Sequence, residues 1–256
     1  DEFAERLRPY VYVAGRELLD LPPNTERTVT FDLSDEGRRV YDAFADEVAV
    51  SFADGKPVTD DGSAETHLTA DNPLVKLLRL QQLTGGTAVT ESVDGRRDVL
   101  SVDSAKQHAL RDVIASTEGP WVVFCVFRED LVQIKEVFAE LGHTCGEISG
   151  TQLDLDDGCM PGWADAMAVQ IQSGGVGVDL TRARVGVFWQ PGLSLANFVQ
   201  AQARYDRPGQ TRPTETIYLA ARRTIDEVVY RTLASRGDVI EAVLAEIKNP
   251  TPEHSL

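Results

Sequence analysis

Apolar and polar positions change their rhythm along this chain. From Glu26 to Leu33 they alternate, with Thr28, Thr30 and Asp32 set against Val29, Phe31 and Leu33, the two-residue period of a half-buried strand. Ser34 followed by Asp35 and Glu36 predicts a helix start, because the acids lie at the positive end of the helix dipole. Val40, Tyr41, Phe44 and Val48 then recur at helical spacing. Asp54–Thr66 is rich in Asp, Gly, Pro and Ser and reads as a loop. Asn72-Pro73 opens a second helix with Leu74, Leu77, Leu78 and Leu80 on one broad apolar face, and Gly85-Gly86 ends it. Thr87–Leu100 carries Asp94-Gly95 between alternating segments, a strong hairpin signal.

From residue 102 strands and helices alternate instead. Ser104–Ser116 reads as a helix, and Trp121–Phe127 is an unbroken apolar run suited to a strand buried on both faces. Glu129–Leu141 is amphipathic and stops at Gly142. Further strands are predicted at Thr144–Ile148, Met167–Ile171, Val185–Trp189 and Thr214–Leu219, and helices at Ser194–Tyr205 and Thr224–Ile247. The expected class is α/β with a mostly parallel sheet flanked by helices. The expected organisation is a helical and hairpin appendage over 1–101 that packs on or extends the core, a core over 102–223, and a closing helix with its tail over 224–256. Glu2–Leu21 mixes apolar and basic residues and runs into Pro22-Pro23, an extended pair.

Composition narrows the classes. The 256 residues are 42% apolar, which excludes wholesale disorder. Trp121–Phe127 is the longest apolar stretch, far short of the ~20 residues of a membrane span. Cys125, Cys145 and Cys159 form no CxxC pair, against a disulfide scaffold and a zinc ribbon. No basic-then-apolar leader opens the sequence, so the expected compartment is a reducing cytoplasm. The net charge of −16 argues against a dedicated basic nucleic-acid module.

Three segments carry candidate chemistry. Gln172-Ser173-Gly174-Gly175-Val176-Gly177-Val178-Asp179-Leu180 follows a predicted strand at the sheet edge where α/β folds bind ligands, and its glycines allow close backbone approach. A dinucleotide fingerprint fails there because Leu180 occupies the third glycine position; a tight turn is the plain alternative. Gln200-Ala201-Gln202-Ala203-Arg204-Tyr205-Asp206-Arg207-Pro208-Gly209-Gln210 closes a predicted helix, with Arg204 and Arg207 expected on one helical face, an arrangement suited to phosphate. A solvated basic helix end is the alternative. Trp121–Arg128 would deliver Arg128 to the same edge, or simply begin a helix with Arg-Glu-Asp.

The order and spacing of these segments resemble the C-terminal RecA-like lobe, of P-loop NTPase type, of superfamily-two DNA translocases of the Swi/Snf branch and their phage relatives. Leu21-Pro22-Pro23-Asn24-Thr25-Glu26 is similar to the family's "LPPKTE", and Ser104-Ala105-Lys106 before Trp121–Phe127 to its fourth motif. Gly174-Gly175-x-Gly177-x-Asp179-Leu180-Thr181-x-Ala183 resembles the fifth motif, and Gln200, Arg204, Arg207, Gly209 and Gln210 match the sixth, "QxxxRxxRxGQ". Thr224-Ile225-Asp226-Glu227 is similar to the "TIEE" brace. Asp179 and Asp206 stand where many relatives carry Asn and His, and Cys125-Val126 replaces Ser-Gln. The short stretch from Gly150 to Gln172 favours a phage or compact bacterial member.

The resemblance implies one half of an ATP-dependent DNA helicase or translocase. It implies Arg204 and Arg207 as catalytic arginine fingers on ATP, a role worth about 10³–10⁵ in rate. It further implies Gly175, Gly177, Asp179, Gln200 and Gln210 at the nucleotide, and Arg128, Ser173 and Gly174 at duplex DNA. No GxxxxGK[ST] occurs, Gly55-Lys56 being followed by Pro57, and no apolar strand ends in an Asp-Glu pair. The phosphate cradle and the Mg²⁺ ligands are therefore expected in an N-terminal lobe of the same protein, with no membrane partner. Two alternatives remain at this stage: a non-catalytic helicase-fold module that binds a protein or nucleic acid, and a Rossmann-type small-molecule enzyme. The scattered His67, His108, His143 and His254 read as surface or core residues.

Overall fold

The computed structural model describes residues 21–53, 73–91, 97–173, 177–235, 239–240 and 242–243. The expectations for Glu2–Asp20, Asp54–Thr66, the Asp94-Gly95 turn and the C-terminal tail lie outside them. The chain runs β1 (Asn24–Phe31), α1 (Asp35–Ala53), α2 (Pro73–Thr84), β2 (Thr87–Glu91), β3 (Arg97–Ser101), α3 (Ala105–Ser116), β4 (Trp121–Cys125) and α4 (Arg128–Glu140). It continues through β5 (Cys145–Ile148), β6 (Ala166–Gln170), β7 (Val185–Phe188), α5 (Leu195–Gln202), β8 (Thr214–Ala221) and α6 (Ile225–Ala234).

Six strands form one sheet in the order β1-β8-β7-β4-β6-β5, every pairing parallel. β2 and β3 form a separate antiparallel hairpin. β1 comes from the stretch read as an appendage, and it is the edge strand of the main sheet, in register with β8 from Asn24↔Thr214 to Phe31↔Ala221.

β4 shows why the sheet is covered on both faces. All five of its residues are buried, and they divide between two apolar cores. Val122 and Phe124 join Phe188, Tyr205, Phe198, Val229, Tyr41 and Leu77 on one side. Trp121, Val123 and Cys125 join Val187, Trp189, Leu110, Ile134 and Phe138 on the other. Alternating side chains on a doubly covered strand produce this split, and the continuous apolar run is its sequence trace.

The topology places the crevice. From β4 the chain crosses through α4, on the second of those faces, to β5 and returns to β6; it then moves to the far side of β4 as β7 and crosses through α5, on the first face. The order therefore reverses around β4, and ligands of such sheets bind beyond the carboxyl ends of the strands at that reversal.

The appended elements are tied down at one turn. Gly86 has φ +89, and a Cβ on it would stand 2.2 Å from the Asp103 carbonyl, so only glycine fits. The carboxylate of Asp103 accepts the backbone N–H and hydroxyl of Ser34 at 2.8 and 2.9 Å and the Ala105 N–H at 2.7 Å. One side chain thus caps α3 and holds the approach to α1.

Candidate functional site

Beyond β4, the Asp130 carboxylate accepts the Phe127 N–H at 3.0 Å, capping α4 and leaving Arg128 exposed on its first turn. Arg128 Nη2 donates to Thr151 Oγ1 at 3.0 Å. Beyond β6, Gln170 Nε2 donates to the Val126 carbonyl at 3.0 Å while its Oε1 accepts the Ser173 hydroxyl at 3.0 Å. Gln170 therefore binds the exits of β4 and β6 together and sets Ser173 beside them. Gly174 and Gly175 lie outside the described residues. A cleft of about 230 Å³ opens at this edge, lined by Val126, Ile171, Gln172, Pro191, Leu193 and Asn197 among others.

The chain resumes at Gly177, exposed and at φ +105. Asp179 Oδ1 accepts both the backbone N–H and the hydroxyl of Thr181, at 2.8 and 2.7 Å. Burial pushes the Asp179 carboxyl up, but these two bonds and the positive charge of Arg207 outweigh it and hold the group below the usual carboxylate range. Leu180, fully buried, donates its N–H to the Arg204 carbonyl at 3.0 Å. The loop over 177–183 and the arginine segment are thereby fastened to each other.

The arginines depart from expectation in one respect. α5 is capped by the Ser194 hydroxyl, but it ends at Gln202 rather than Tyr205. The Arg204 N–H turns back to the Ala201 carbonyl at 3.2 Å. Tyr205 is then drawn into the core, fully buried against Gly186, with its hydroxyl on Thr216 Oγ1. Burying that ring is favourable enough to end the helix, so Arg204 and Arg207 do not share a helical face. Arg204 is 9% exposed, and burial lowers its guanidinium pKa; Arg207 is exposed. Gln200 is exposed on α5.

Gln210 points inward. Its Nε2 donates to the carbonyls of Thr181, Ala183 and Tyr205 at 2.9, 3.0 and 3.2 Å, and its Oε1 accepts the N–H of Thr211 and Arg212 at 3.1 and 3.3 Å. Those bonds occupy both ends of the amide, so the side chain clips loop to loop instead of facing a nucleotide.

A buried polar cluster escaped the sequence as chemistry. Lys106 and Asp226, both 1% exposed, form an ion pair at 3.1 Å. Lys106 Nζ also donates to the Trp189 carbonyl at 3.0 Å. Asp226 further accepts the Thr84 hydroxyl at 2.9 Å and the Ala221 N–H at 3.2 Å. The available signal was the recurrence of a lysine and an acid in two family motifs, which says nothing of their contact. Among the described residues no group of three or more His, Cys, Asp or Glu is placed to hold a metal ion, and no helix is long and apolar enough to cross a membrane.

The fold matches solved structures. The C-terminal part of the Fun30 ATPase domain superposes with a TM-score of 0.67 at 13% identity, covering 88% of this chain and 98% of that one. The Sulfolobus solfataricus SWI2/SNF2 ATPase core in complex with dsDNA superposes at 0.62 and 18% identity, covering all of this chain and 56% of that one. The C-terminal domain of the Sulfolobus protein gives 0.57 at 16%, covering 91% of this chain and all of that domain. At these identities the likeness establishes the fold alone, a RecA-like, mostly parallel sheet flanked by helices. In sequence, 75 residues are 39% identical to Chromodomain-helicase-DNA-binding protein 1-like of Danio rerio. Another 67-residue match is 33% identical to SWI/SNF-related matrix-associated actin-dependent regulator of chromatin subfamily A-like protein 1 of Drosophila melanogaster. These matches cover 29% and 26% of this chain but only 7% and 9% of those proteins. No protein-family model matches the chain.

Proposed function

We propose that this chain is the C-terminal lobe of a Swi/Snf-type, DNA-stimulated ATPase whose nucleotide-binding lobe lies elsewhere in the same protein. The observation that carries this reading is the fastening of the arginine segment to the loop over 177–183, through the Leu180–Arg204 bond and the Gln210 clip, on a lobe of the Snf2 ATPase fold.

Arg207 is the better finger. Its exposed guanidinium can offer two parallel N–H groups to phosphate oxygens. Its positive charge is felt at Asp179, whose carboxyl it helps to hold below the usual range. Arg204, mostly inside the protein, acts in a lower dielectric, where a fixed positive charge is felt more strongly. Mg²⁺ would neutralise phosphate charge when bound; among the described residues no group of three or more His, Cys, Asp or Glu is placed to hold it, so its ligands are expected on the other lobe.

Arg128, with Ser173 and Gly174, forms the proposed DNA edge. One exposed arginine and a few hydrogen-bond donors at that edge, on a chain of net charge −16, imply weak duplex binding by this lobe alone. The sequence match to a chromodomain-helicase-DNA-binding protein and the likeness to a SWI2/SNF2 ATPase core in complex with dsDNA support duplex DNA as the activator. The test is ATP hydrolysis by the polypeptide carrying both lobes, with and without duplex DNA. Stimulation by DNA is expected; hydrolysis indifferent to DNA, or none, contradicts the reading.

A further inference from the structure

Three successive residues leave β7 towards α5, and each is held by a different helix. The Phe188 carbonyl accepts the Tyr230 hydroxyl of α6 at 2.9 Å. The Trp189 carbonyl accepts Lys106 Nζ of α3 at 3.0 Å. Gln190 Nε2 donates to the Gln81 carbonyl of α2. Lys106 is also bonded to Asp226, the second residue of α6, and Asp226 to Thr84, the last residue of α2. The same ammonium lies 5.7 Å from the Phe31 ring of β1 and 6.0 Å from the Trp189 ring. Four residues after Gln190, Ser194 caps the helix that leads into Arg204 and Arg207.

A buried ion pair is a poor way to gain stability, since desolvation cancels most of its attraction, but it fixes geometry. This pair sits where α2, α3, α6 and the exit of β7 meet. We propose that Lys106 is a positioning residue: by gripping the Trp189 carbonyl and Asp226 at once, it fixes where the β7–α5 crossover delivers the arginine segment. A shift of α2 or of α6 is then transmitted to the arginines through that crossover. The inference rests on the proposed function for its consequence in catalysis, but the mechanical link stands on the contacts alone.

The test separates the link from simple stability. Lys106→Met keeps the unbranched stem but removes the ammonium and strands the Asp226 charge in the core, so melting temperature falls. Lys106→Met with Asp226→Asn removes both charges, and melting temperature recovers towards the wild type. Amide hydrogen exchange over 195–210 in this chain is expected to stay about tenfold faster in the double variant, because the grip on Trp189 is still missing. In the two-lobed protein, ATP turnover stays about tenfold low with an unchanged KM, as for a misplaced catalytic group. Exchange and turnover that recover together with melting temperature overturn the proposal. If the wild-type two-lobed protein hydrolyses no ATP, the functional reading fails, and exchange still decides the link. If that double variant does not fold, Lys106→Met with Asp226→Leu replaces the pair by apolar side chains, and unchanged exchange over 195–210 in that variant overturns the proposal.

Discussion

Tyr205 lies directly on Gly186: a Cβ added to that glycine would meet the Tyr205 ring at 2.2 Å. The contact seats the residue between Arg204 and Asp206 in the core and ends α5 ahead of both arginines. Gly186→Ala should push the ring outward and lower stability by about 1–3 kcal/mol, the usual cost of overpacking. Thermal melting checks this. A variant that melts with the wild type would mean that Tyr205 has another seat.

Gln210 closes the loop over 177–183 onto Tyr205 through three carbonyls. Gln210→Leu should leave buried acceptors unsatisfied, at about 1–3 kcal/mol for each that water cannot reach. Its larger effect should be on Arg207, through loss of the loop that carries Asp179. Nucleotide affinity of the two-lobed protein should fall by less than turnover does. A loss of affinity alone would return Gln210 to direct nucleotide contact.

Asp130 gives a pH prediction. Burial pushes its carboxyl up to about 7, against the opposing pull of the Phe127 amide and the Lys106 charge. The unfolded chain releases that proton near 3.8. Between those values the folded state binds more protons, so this group's contribution to stability is full below about 4 and is lost as pH rises to about 7. Asp130→Asn keeps an acceptor for the Phe127 amide and has no proton to lose. Its stability relative to wild type should therefore rise from pH 4 to pH 7. A difference that stays constant over this range contradicts the assignment.

Salt should stabilise the fold. With a net charge of −16 the chain repels itself, and raising salt from 0.1 to 1 M shortens the screening length from about 10 to about 3 Å. Melting temperature should rise over that range, and any affinity of the lobe for duplex DNA should fall. A melting temperature that drops with added salt would show that specific ion pairs outweigh the net repulsion.

The sheet was legible because its residues obey local rules. The run from Trp121 marks β4, the alternation from Glu26 marks β1, and Pro73 and the Gly85-Gly86 pair bound α2. What escaped depends on contacts distant in sequence. The alternation of Val29 and Phe31 marks a strand but says nothing about its partner, which only the register with β8 supplies. Helical spacing carried α5 to Tyr205, because nothing local says that Gly186 leaves room for its ring.

The candidate site was legible as composition but not as geometry. Ser173, Asp179 and Arg207 lie at loops and Arg128 on the first turn of α4, all partly or fully exposed. Gln210 belongs to the same motif yet faces inward, since an amide can satisfy several carbonyls as readily as a phosphate oxygen. The Lys106–Asp226 pair spans 120 residues, and no spacing rule could have joined them.

The central claim is that Arg207 acts on the nucleotide being hydrolysed. The direct measurement is DNA-stimulated ATP turnover of the two-lobed protein carrying Arg207→Ala, alongside the melting temperature of this lobe with the same change. Turnover is expected to fall by about 10³-fold or more with a melting temperature close to wild type, because the side chain is exposed. Turnover that survives the substitution in a folded protein would contradict it.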